Sequence, residues 1–183
     1  MESIGFKEWA LVCQALGSGE QNVILRKGGL AEGRAGFAFR HPEFFLFPTF
    51  FHAQTEMLRL AQSEPPTASS ETVGIRFFAK VDDAQLVTEW QTAEALTPFH
   101  VLKPEVVRER FEYDDARGVH VAFVRVFRLA PGWNFPDEPR FGGCRSWVKL
   151  PQLPAGVVMQ PVISDEEHGN RLSRFRAVIA AQN

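Results

Sequence analysis

The stretch GVHVAFVRVFRL, residues 118–129, has the clearest strand pattern in this sequence. Valine and phenylalanine dominate it, and β-branched and aromatic side chains favour extended backbone. Similar runs lie on both sides of it, and we expect each to form a strand: NVILR (22–26), EFFLFP (43–48), TVGIRFFAKV (72–81), AQLVTEWQTA (84–93) and CRSWVKL (144–150). The two runs that flank Asp82 and Asp83 predict a hairpin that turns at these residues.

Four segments carry helix signals. Residues 5–20 (GFKEWALVCQALGSGE) have apolar positions at helical spacing, and the glycines after Leu16 predict where that helix ends. Residues 103–111 have Pro104 in the first turn, where proline is tolerated. Residues 164–179 begin with Ser164 and Glu167 at the spacing of a capping box. We also expect Thr49 to cap a helix over residues 50–61.

The irregular order of these strands and helices indicates the fold class. It predicts an α+β protein, a single domain over residues 1–183, with a mixed or mainly antiparallel sheet and flanking helices. Two proline-rich stretches lack any periodicity, and we expect both to be loops. They are QSEPPTASSE near the surface (62–71) and APGWNFPDEPRFGG as a crossing connection (130–143).

Composition limits the classes of function. With 45% hydrophobic and 23% charged residues, the chain fits a soluble globular protein, and its 17 phenylalanines against one tyrosine indicate a dry core. The net charge of −2 argues against a wholly basic nucleic-acid binder but allows a local basic patch. Cys13 and Cys144 belong to no metal or redox motif, so we expect reduced thiols in a cytoplasmic protein and no cofactor. No basic segment leads into an apolar run with a cleavage site, and no apolar stretch approaches the length of a membrane span, so we expect no signal peptide and no membrane partner.

A cluster of cations begins at LRKGG, residues 25–29. Residues 21–41 carry four basic side chains against Glu32 alone, and glycines let backbone amides approach an anion. Neither GxxxxGK[ST] nor GxGxxG occurs. We expect an anion-binding site here, and the alternative is a turn that is merely solvated by its charges. The predicted ligand-binding residues are Arg26, Lys27, Gly28, Gly29, Arg34, Arg40 and, from a second glycine pair in GGCRSWVKL, Arg145.

The phenylalanine-rich stretch FRHPEFFLFPTFFH, residues 39–52, has a histidine near each end. His41 with Glu43 as its orienting partner suits general acid–base chemistry, and the alternative is a histidine that bonds loop backbone. His52 begins a predicted polar helix stripe with Glu56 one turn later. These four residues are the catalytic candidates. The HExxH pattern is absent, so we predict no metal site.

The residues in FKEWALVCQALGSGEQNVILRKGGLAEGRAGFAFRHPEFFLFPTFFHAQ, positions 6–54, carry a resemblance. With RFEYDDARGVHVAFVRVFRL and FGGCRSWVKL, this segment resembles the bacterial family catalogued as domain of unknown function 1802. The family has no established activity to transfer. Its association with restriction-type endonuclease domains implies work near DNA. A metal-nuclease core of PD-(D/E)xK type is not expected, because residues 119–128 contain no carboxylate.

Three functional interpretations follow. The first is a module that binds nucleic acid or another phosphorylated ligand through the cations around LRKGG. The second is a hydrolase for a phosphate- or carboxylate-bearing substrate, with His41 or His52 as base and Arg26 as anion clamp. The third is a structural or partner-binding protein that docks through a phenylalanine-rich surface.

Overall fold

The computed structural model describes residues 3–27, 37–60 and 71–181. Within these ranges seven strands form one mixed sheet, and four α-helices flank it. The strands are β1 (Ile4–Trp9), β2 (Val23–Arg26), β3 (Glu43–Thr49), β4 (Thr72–Val87), β5 (Val119–Pro136), β6 (Trp147–Lys149) and β7 (Val158–Pro161); the helices are α1 (Ala10–Ser18), α2 (Trp90–Ala95), α3 (Pro104–Phe111) and α4 (Asp165–Ala180). The predicted α+β class with a mixed sheet is confirmed.

Strand β5 organises the sheet, whose order is β2-β5-β4-β3-β1-β6. Residues 120–123 of β5 pair with β2, residues 127–130 pair with β7, and β4 runs antiparallel beside β5 along nearly its whole length. Only β1 and β3 are parallel. Strands β2 and β6 are the two ends of this order. Even so, Nη2 of Arg26, the last residue of β2, donates to Oγ of Ser146, just before β6, at 3.0 Å. The sheet therefore curves until its edges meet at this point.

The core lies on both faces of the curved sheet. Phe44 and Leu46 belong to a cluster packed under the helices, whereas Phe45 and Phe47 belong to a second cluster on the opposite face. Successive side chains of a strand point to opposite faces, so a continuous phenylalanine run fills both clusters at once. The predicted buried strand over residues 43–48 is confirmed, and its phenylalanines stabilise the scaffold.

The predicted helix over residues 5–20 is wrong in its first half. Residues Ile4–Trp9 are strand β1, and the helix begins only at Ala10. Positions 5–8 are all buried because β1 lies between β3 and β6 with cores on both of its faces. That burial removes the alternation by which a strand is recognised, and the apolar spacing then imitates a helix.

The predicted helix over residues 50–61 is also wrong. Thr49 is the last residue of β3, and its Oγ1 donates to Glu8 O at 3.0 Å instead of capping a helix. A short 3-10 helix, His52–Met57, follows with no side-chain cap. The Gln54 Oε1 turns away from this segment and accepts the Leu11 backbone N–H at the start of α1.

No hairpin turns at Asp82 and Asp83. Strand β4 continues through both residues with a register shift between Val81 and Asp83. The two carboxylates bind α4 instead, since Asp82 Oδ2 lies 2.9 Å from His168 Nε2 and Asp83 Oδ2 lies 3.3 Å from Arg176 Nε.

The remaining predictions divide as follows. Helix α3, helix α4 with its Ser164 cap, and strands β2 and β6 form where expected. The predicted crossing connection is a loop only in its second part, because β5 extends to Pro136. The predicted surface loop over 62–71 lies outside the described residues, apart from Glu71. No helix in the described ranges is long and apolar enough to cross a bilayer.

Candidate anion-binding site

A cavity of about 270 Å³ lies where β2 ends, between the β1–α1 junction and α3. We call it the cationic cavity. Three basic side chains and one acidic side chain line it, together with two aromatic and two aliphatic residues. The lining residues are Trp9, Arg26, Lys27, Met57, Val106, Glu109, Arg110 and Tyr113.

Arg26 enters this cavity from the last position of β2. Its Nε and Nη2 atoms donate to Ser146 Oγ at 3.3 and 3.0 Å, and its guanidinium carbon lies 5.6 Å from the centre of the Phe6 ring. Within the described ranges no carboxylate forms an ion pair with it. The hydroxyl of Ser146 thus orients the planar donor fork without neutralising its charge.

Arg110 enters from α3. Its Nη1 donates to Leu25 O at 2.6 Å, and its guanidinium lies 4.6 Å from the centre of the Trp9 ring. Burial lowers the pKa of Arg110, the carboxylate of Glu8 raises it, and the charge of Arg26 lowers it again. The guanidinium stays protonated at any ordinary pH, so two positive groups that repel each other face one cavity.

Lys27 supplies charge but no free donor. Its Nζ forms an ion pair with Asp114 at 2.8 Å and donates to Ala116 O and Gly118 O at 2.6 and 3.1 Å. An ammonium group has three N–H donors, and these partners use all of them. Lys27 therefore fixes the loop between α3 and β5 against the cavity wall.

Glu8 supports the cavity from beneath. It is only 1% exposed, and its Oε1 accepts the backbone N–H of Trp9 at 2.8 Å. This bond holds the carboxylate at the start of α1, where the helix dipole favours negative charge. The buried carboxylate partly compensates Arg110 and keeps Trp9 in position against it.

Two more predicted residues lie beside the meeting edges of the sheet. The His41 ring lies 4.8 Å from the Trp147 ring, and Trp147 follows Ser146, the partner of Arg26. Arg145 precedes Ser146 and is exposed. Thus Arg26, His41 and Arg145 each lie next to the Ser146–Trp147 pair, but only Arg26 lines the cationic cavity.

The other predicted site residues do not line the cationic cavity or lie outside the described residues. Arg40 is exposed in the segment before β3, and Glu43 is the first residue of β3, in register with Lys80. Gly28, Gly29 and Arg34 fall outside the described residues.

The paired-histidine form of a hydrolase site is wrong. His41 lies before β3, and His52 lies after it, exposed, with Glu56 also exposed. The seven residues of β3 span about 23 Å at 3.3 Å per residue. Two histidines at opposite ends of such a strand cannot share a proton or a substrate atom. The described residues also contain no group of three or more side chains that could hold a metal ion.

Arg110 and Trp9 are site residues that the sequence did not predict. Arg110 bonds a carbonyl 85 positions away, and no spacing rule reports such a contact. The available signal was an arginine in α3 beside the buried Val106, Val107 and Phe111. An arginine at the edge of an apolar helix face has its head group close to whatever that face covers.

A second and larger cavity, of about 780 Å³, lies on the other side of the β1–α1 junction. We call it the aromatic cavity, because Phe47, Phe50, Phe77 and Phe141 line it. Lys7 also lines it and is only 7% exposed. Its Nζ donates to Gly142 O and Gly143 O at 3.2 and 3.0 Å, and burial, followed by the charge of Arg145, lowers its pKa.

Comparison with solved structures found remote similarity. The ASCH protein from Zymomonas mobilis is 12% identical, with 94% of each chain covered and a TM-score of 0.44. Two single-substitution variants of that protein are each 13% identical, with TM-scores of 0.44 and 0.42 and 94% of this chain covered. Because these values are low, no function is carried over from those structures. Comparison with curated protein sequences found no match.

Comparison with family models tests the resemblance seen in the sequence. One model matches residues 5–174, from the second position of β1 to the last turns of α4. The match includes every strand of the sheet and every described residue of the cationic cavity. The chain therefore belongs to the family described as "Domain of unknown function (DUF1802)".

Proposed function

We propose that this protein binds a phosphorylated ligand, and specifically nucleic acid, at the cationic cavity. One observation carries the proposal. Arg26 and Arg110 face the same cavity, and within the described residues their hydrogen bonds go only to neutral oxygens, Ser146 Oγ and Leu25 O. The work near DNA that the family resemblance implies belongs to the same proposal.

Electrostatics favours an anion at this position. An incompletely compensated charge is costly to bury, and two like charges at one cavity raise that cost, although Glu8 and Glu109 offset part of it for Arg110. A phosphate would offset both terms, because guanidinium groups bind phosphate oxygens through two parallel N–H donors. In the described part of the chain, the hydrogen bonds of Arg26 use Nε and Nη2, and that of Arg110 uses Nη1. Each group therefore has further N–H donors for a ligand.

The surroundings favour a polymer over an isolated phosphate. Trp9 lines the same cavity as the two guanidinium groups, lies against that of Arg110, and supplies an aromatic ring that suits a base or sugar. Arg40 and Arg145 are exposed on segments that flank His41 and Ser146. They can contact neighbouring phosphates of a chain that begins in the cationic cavity.

Fluorescence anisotropy of labelled oligonucleotides at low ionic strength tests the proposal. We expect the protein to bind them, and we expect Arg26→Ala or Arg110→Ala to weaken binding about tenfold or more, since hydrogen bonds to charged groups contribute about 1.5–3 kcal/mol. Arg176→Ala is the matched control, because it removes the same charge from an exposed position of α4 that lines neither cavity. Circular dichroism establishes that each variant is folded.

Two results would refute this function. One is a failure of single-stranded and duplex oligonucleotides and of nucleotides to bind at low salt. The other is equal affinity of the wild type, Arg26→Ala and Arg110→Ala, since the cationic cavity would then make no contact with the bound ligand.

A further inference from the structure

The aromatic cavity lies next to the cationic cavity. We infer that it accepts an unpaired nucleobase, with Phe50 and Phe51 as a stacking platform beside it, and that it determines which nucleic acid can bind. The ligand is then a single strand rather than a duplex. This inference rests on the proposed function, because it requires the phosphate backbone to be held at the cationic cavity.

The two cavities adjoin each other across a few residues. Trp9 lines the cationic cavity, and its neighbour Ala10 lines the aromatic cavity. Phe50 lines the aromatic cavity, and its neighbour Phe51 packs edge-on against Trp9 with ring centres 5.1 Å apart. The adjacent residues Phe50 and Phe51 therefore extend from the aromatic cavity to Trp9, and we call Phe50, Phe51 and Trp9 the aromatic path.

This path has the properties of a surface that binds single strands. Phe50 and Phe51 are 42% and 36% exposed, although nearly all other phenylalanines of the described residues are buried or partly buried. Exposed rings beside a positively charged groove are how proteins bind unpaired nucleotides, because every base has a face that stacks on an aromatic ring. The guanidinium of Arg110, 4.6 Å from the Trp9 ring, continues the path into the cationic cavity.

The interior of the aromatic cavity suits a base. Its volume of about 780 Å³ lies within the range of about 300–1,000 Å³ for small-molecule sites. Phenylalanine rings form its apolar walls, and Lys7, Asn134 and Asp137 supply polar groups. Lys7 uses two donors on Gly142 O and Gly143 O, so a third N–H remains for an acceptor on a base edge.

An arginine is positioned at the same cavity. Arg76 Nη1 donates to Asn134 Oδ1 at 3.0 Å, and both residues line the cavity. Gly132 leaves space for this side chain, because a Cβ there would lie 2.3 Å from Arg76 Nη1. Within the described residues the Arg76 guanidinium bonds the neutral oxygens of Ile75 and Asn134, so a cation lies close to the base pocket.

Fluorescence anisotropy of three kinds of labelled ligand, each with the same number of phosphates, tests the inference. The first is a single-stranded oligothymidylate, used as DNA and as RNA. The second is the same backbone with abasic sites, and the third is a blunt duplex. We expect the single strand to bind about tenfold or more tightly than the abasic strand or the duplex. Phe50→Ala removes this preference, whereas Phe50→Trp retains it. Val158→Ala is the control, because Val158 is an exposed apolar residue that lines neither cavity.

The outcomes separate the inference from the proposed function. In one outcome, the intact and the abasic strand bind with equal affinity while Arg26→Ala still weakens binding. That result overturns the base pocket but supports the phosphate site. Tighter binding of the duplex also overturns the base pocket. Failure of every ligand to bind overturns the phosphate site and the base pocket together. The wild-type comparison needs no variant, so a folding defect in Phe50→Ala leaves the test intact.

Discussion

Two adjacent residues of β1 are buried charges, and one lies at each cavity. Glu8 is 1% exposed and lies near Arg110 at the cationic cavity, whereas Lys7 is 7% exposed and lines the aromatic cavity. Neighbouring side chains of a strand point to opposite faces, so one dipeptide supports both sites. Charged residues are rarely buried to this extent without a specific partner. Both residues have such partners, because Lys7 Nζ donates to two carbonyl oxygens and Glu8 Oε1 accepts the Trp9 backbone N–H.

Gly17, in the last turn of α1, makes room for an aromatic ring. A Cβ at this position would lie 2.0 Å from the Cζ of Phe77. We expect Gly17→Ala to lower the free energy of unfolding by about 1 kcal/mol, because overpacking costs about 1–3 kcal/mol and exceeds the gain in helix propensity. Gly169→Ala is the control, since a Cβ there meets nothing within 4 Å. It should raise the stability by about 0.5–1 kcal/mol, and urea unfolding measures both. A stabilised Gly17→Ala would contradict the observed packing.

His100 predicts a dependence of stability on pH. Burial, followed by the charges of Arg59 and Arg110, lowers its pKa from 6.5 to about 3. Between these values the unfolded chain binds a proton that the folded chain does not, so stability falls as the pH falls below 6.5. From pH 7 to pH 5 the loss is about 2 kcal/mol.

His100→Asn tests this dependence, because an Asn Oδ1 can replace the Nδ1 that accepts the Leu102 N–H. We expect the stability of the variant, measured by urea unfolding, to fall about 2 kcal/mol less than that of the wild type between pH 7 and pH 5. Identical pH profiles would show that His100 is protonated equally in the folded and unfolded chains.

At the scale of secondary structure, caps, prolines and β-branched runs in the sequence correctly predicted the elements that depend on them. Helix α4 begins at its Ser164 cap, α3 begins at Pro104, and the valine-rich run is strand β5. The wrong predictions lie where tertiary contacts determine the secondary structure. The sequence of β1 imitates a helix because cores on both of its faces bury consecutive residues, and β4 continues through two aspartates because α4 supplies them with partners.

The same distinction applies to the candidate site. Arg26 and Lys27 were predicted from a local pattern, cations between a strand and glycines. Trp9 and Arg110 come from β1 and α3 and meet only after the sheet has curved. A single sequence contains no measure of that curvature, so Trp9 and Arg110 could not be predicted from it as site residues.

The cap of α4 provides a test at this scale. Ser164 Oγ accepts the Glu167 backbone N–H at 3.2 Å, and three acidic residues follow it in the first turn. We expect Ser164→Ala to reduce the free energy of unfolding by about 1 kcal/mol. Ser173→Ala in the same helix should be neutral or slightly stabilising, because the exposed Ser173 only bonds back to Gly169 O. Equal effects of both substitutions in thermal unfolding would contradict the capping role.

For the whole molecule, the arrangement of charge matters more than its sum. The chain carries a net charge of −2, yet Arg26, Lys27 and Arg110 line one small cavity beside an exposed aromatic path. Acidic residues elsewhere pair with α4 and with surface arginines, as in the pairs formed by Asp82 and Asp83. Under the proposed function, these local cations bind the polyanion although the chain as a whole is slightly acidic.

The salt dependence of oligonucleotide binding tests this account most directly. Association that releases counterions gives a logarithm of the binding constant that falls linearly with the logarithm of the salt concentration. We expect that fall for the wild type, and we expect Arg26→Ala to reduce the slope by about 0.7 on a single strand, the value for one lost phosphate contact. Arg176→Ala should leave the slope unchanged. Binding that ignores salt, or equal slopes for the wild type and Arg26→Ala, would contradict a phosphate site at the cationic cavity.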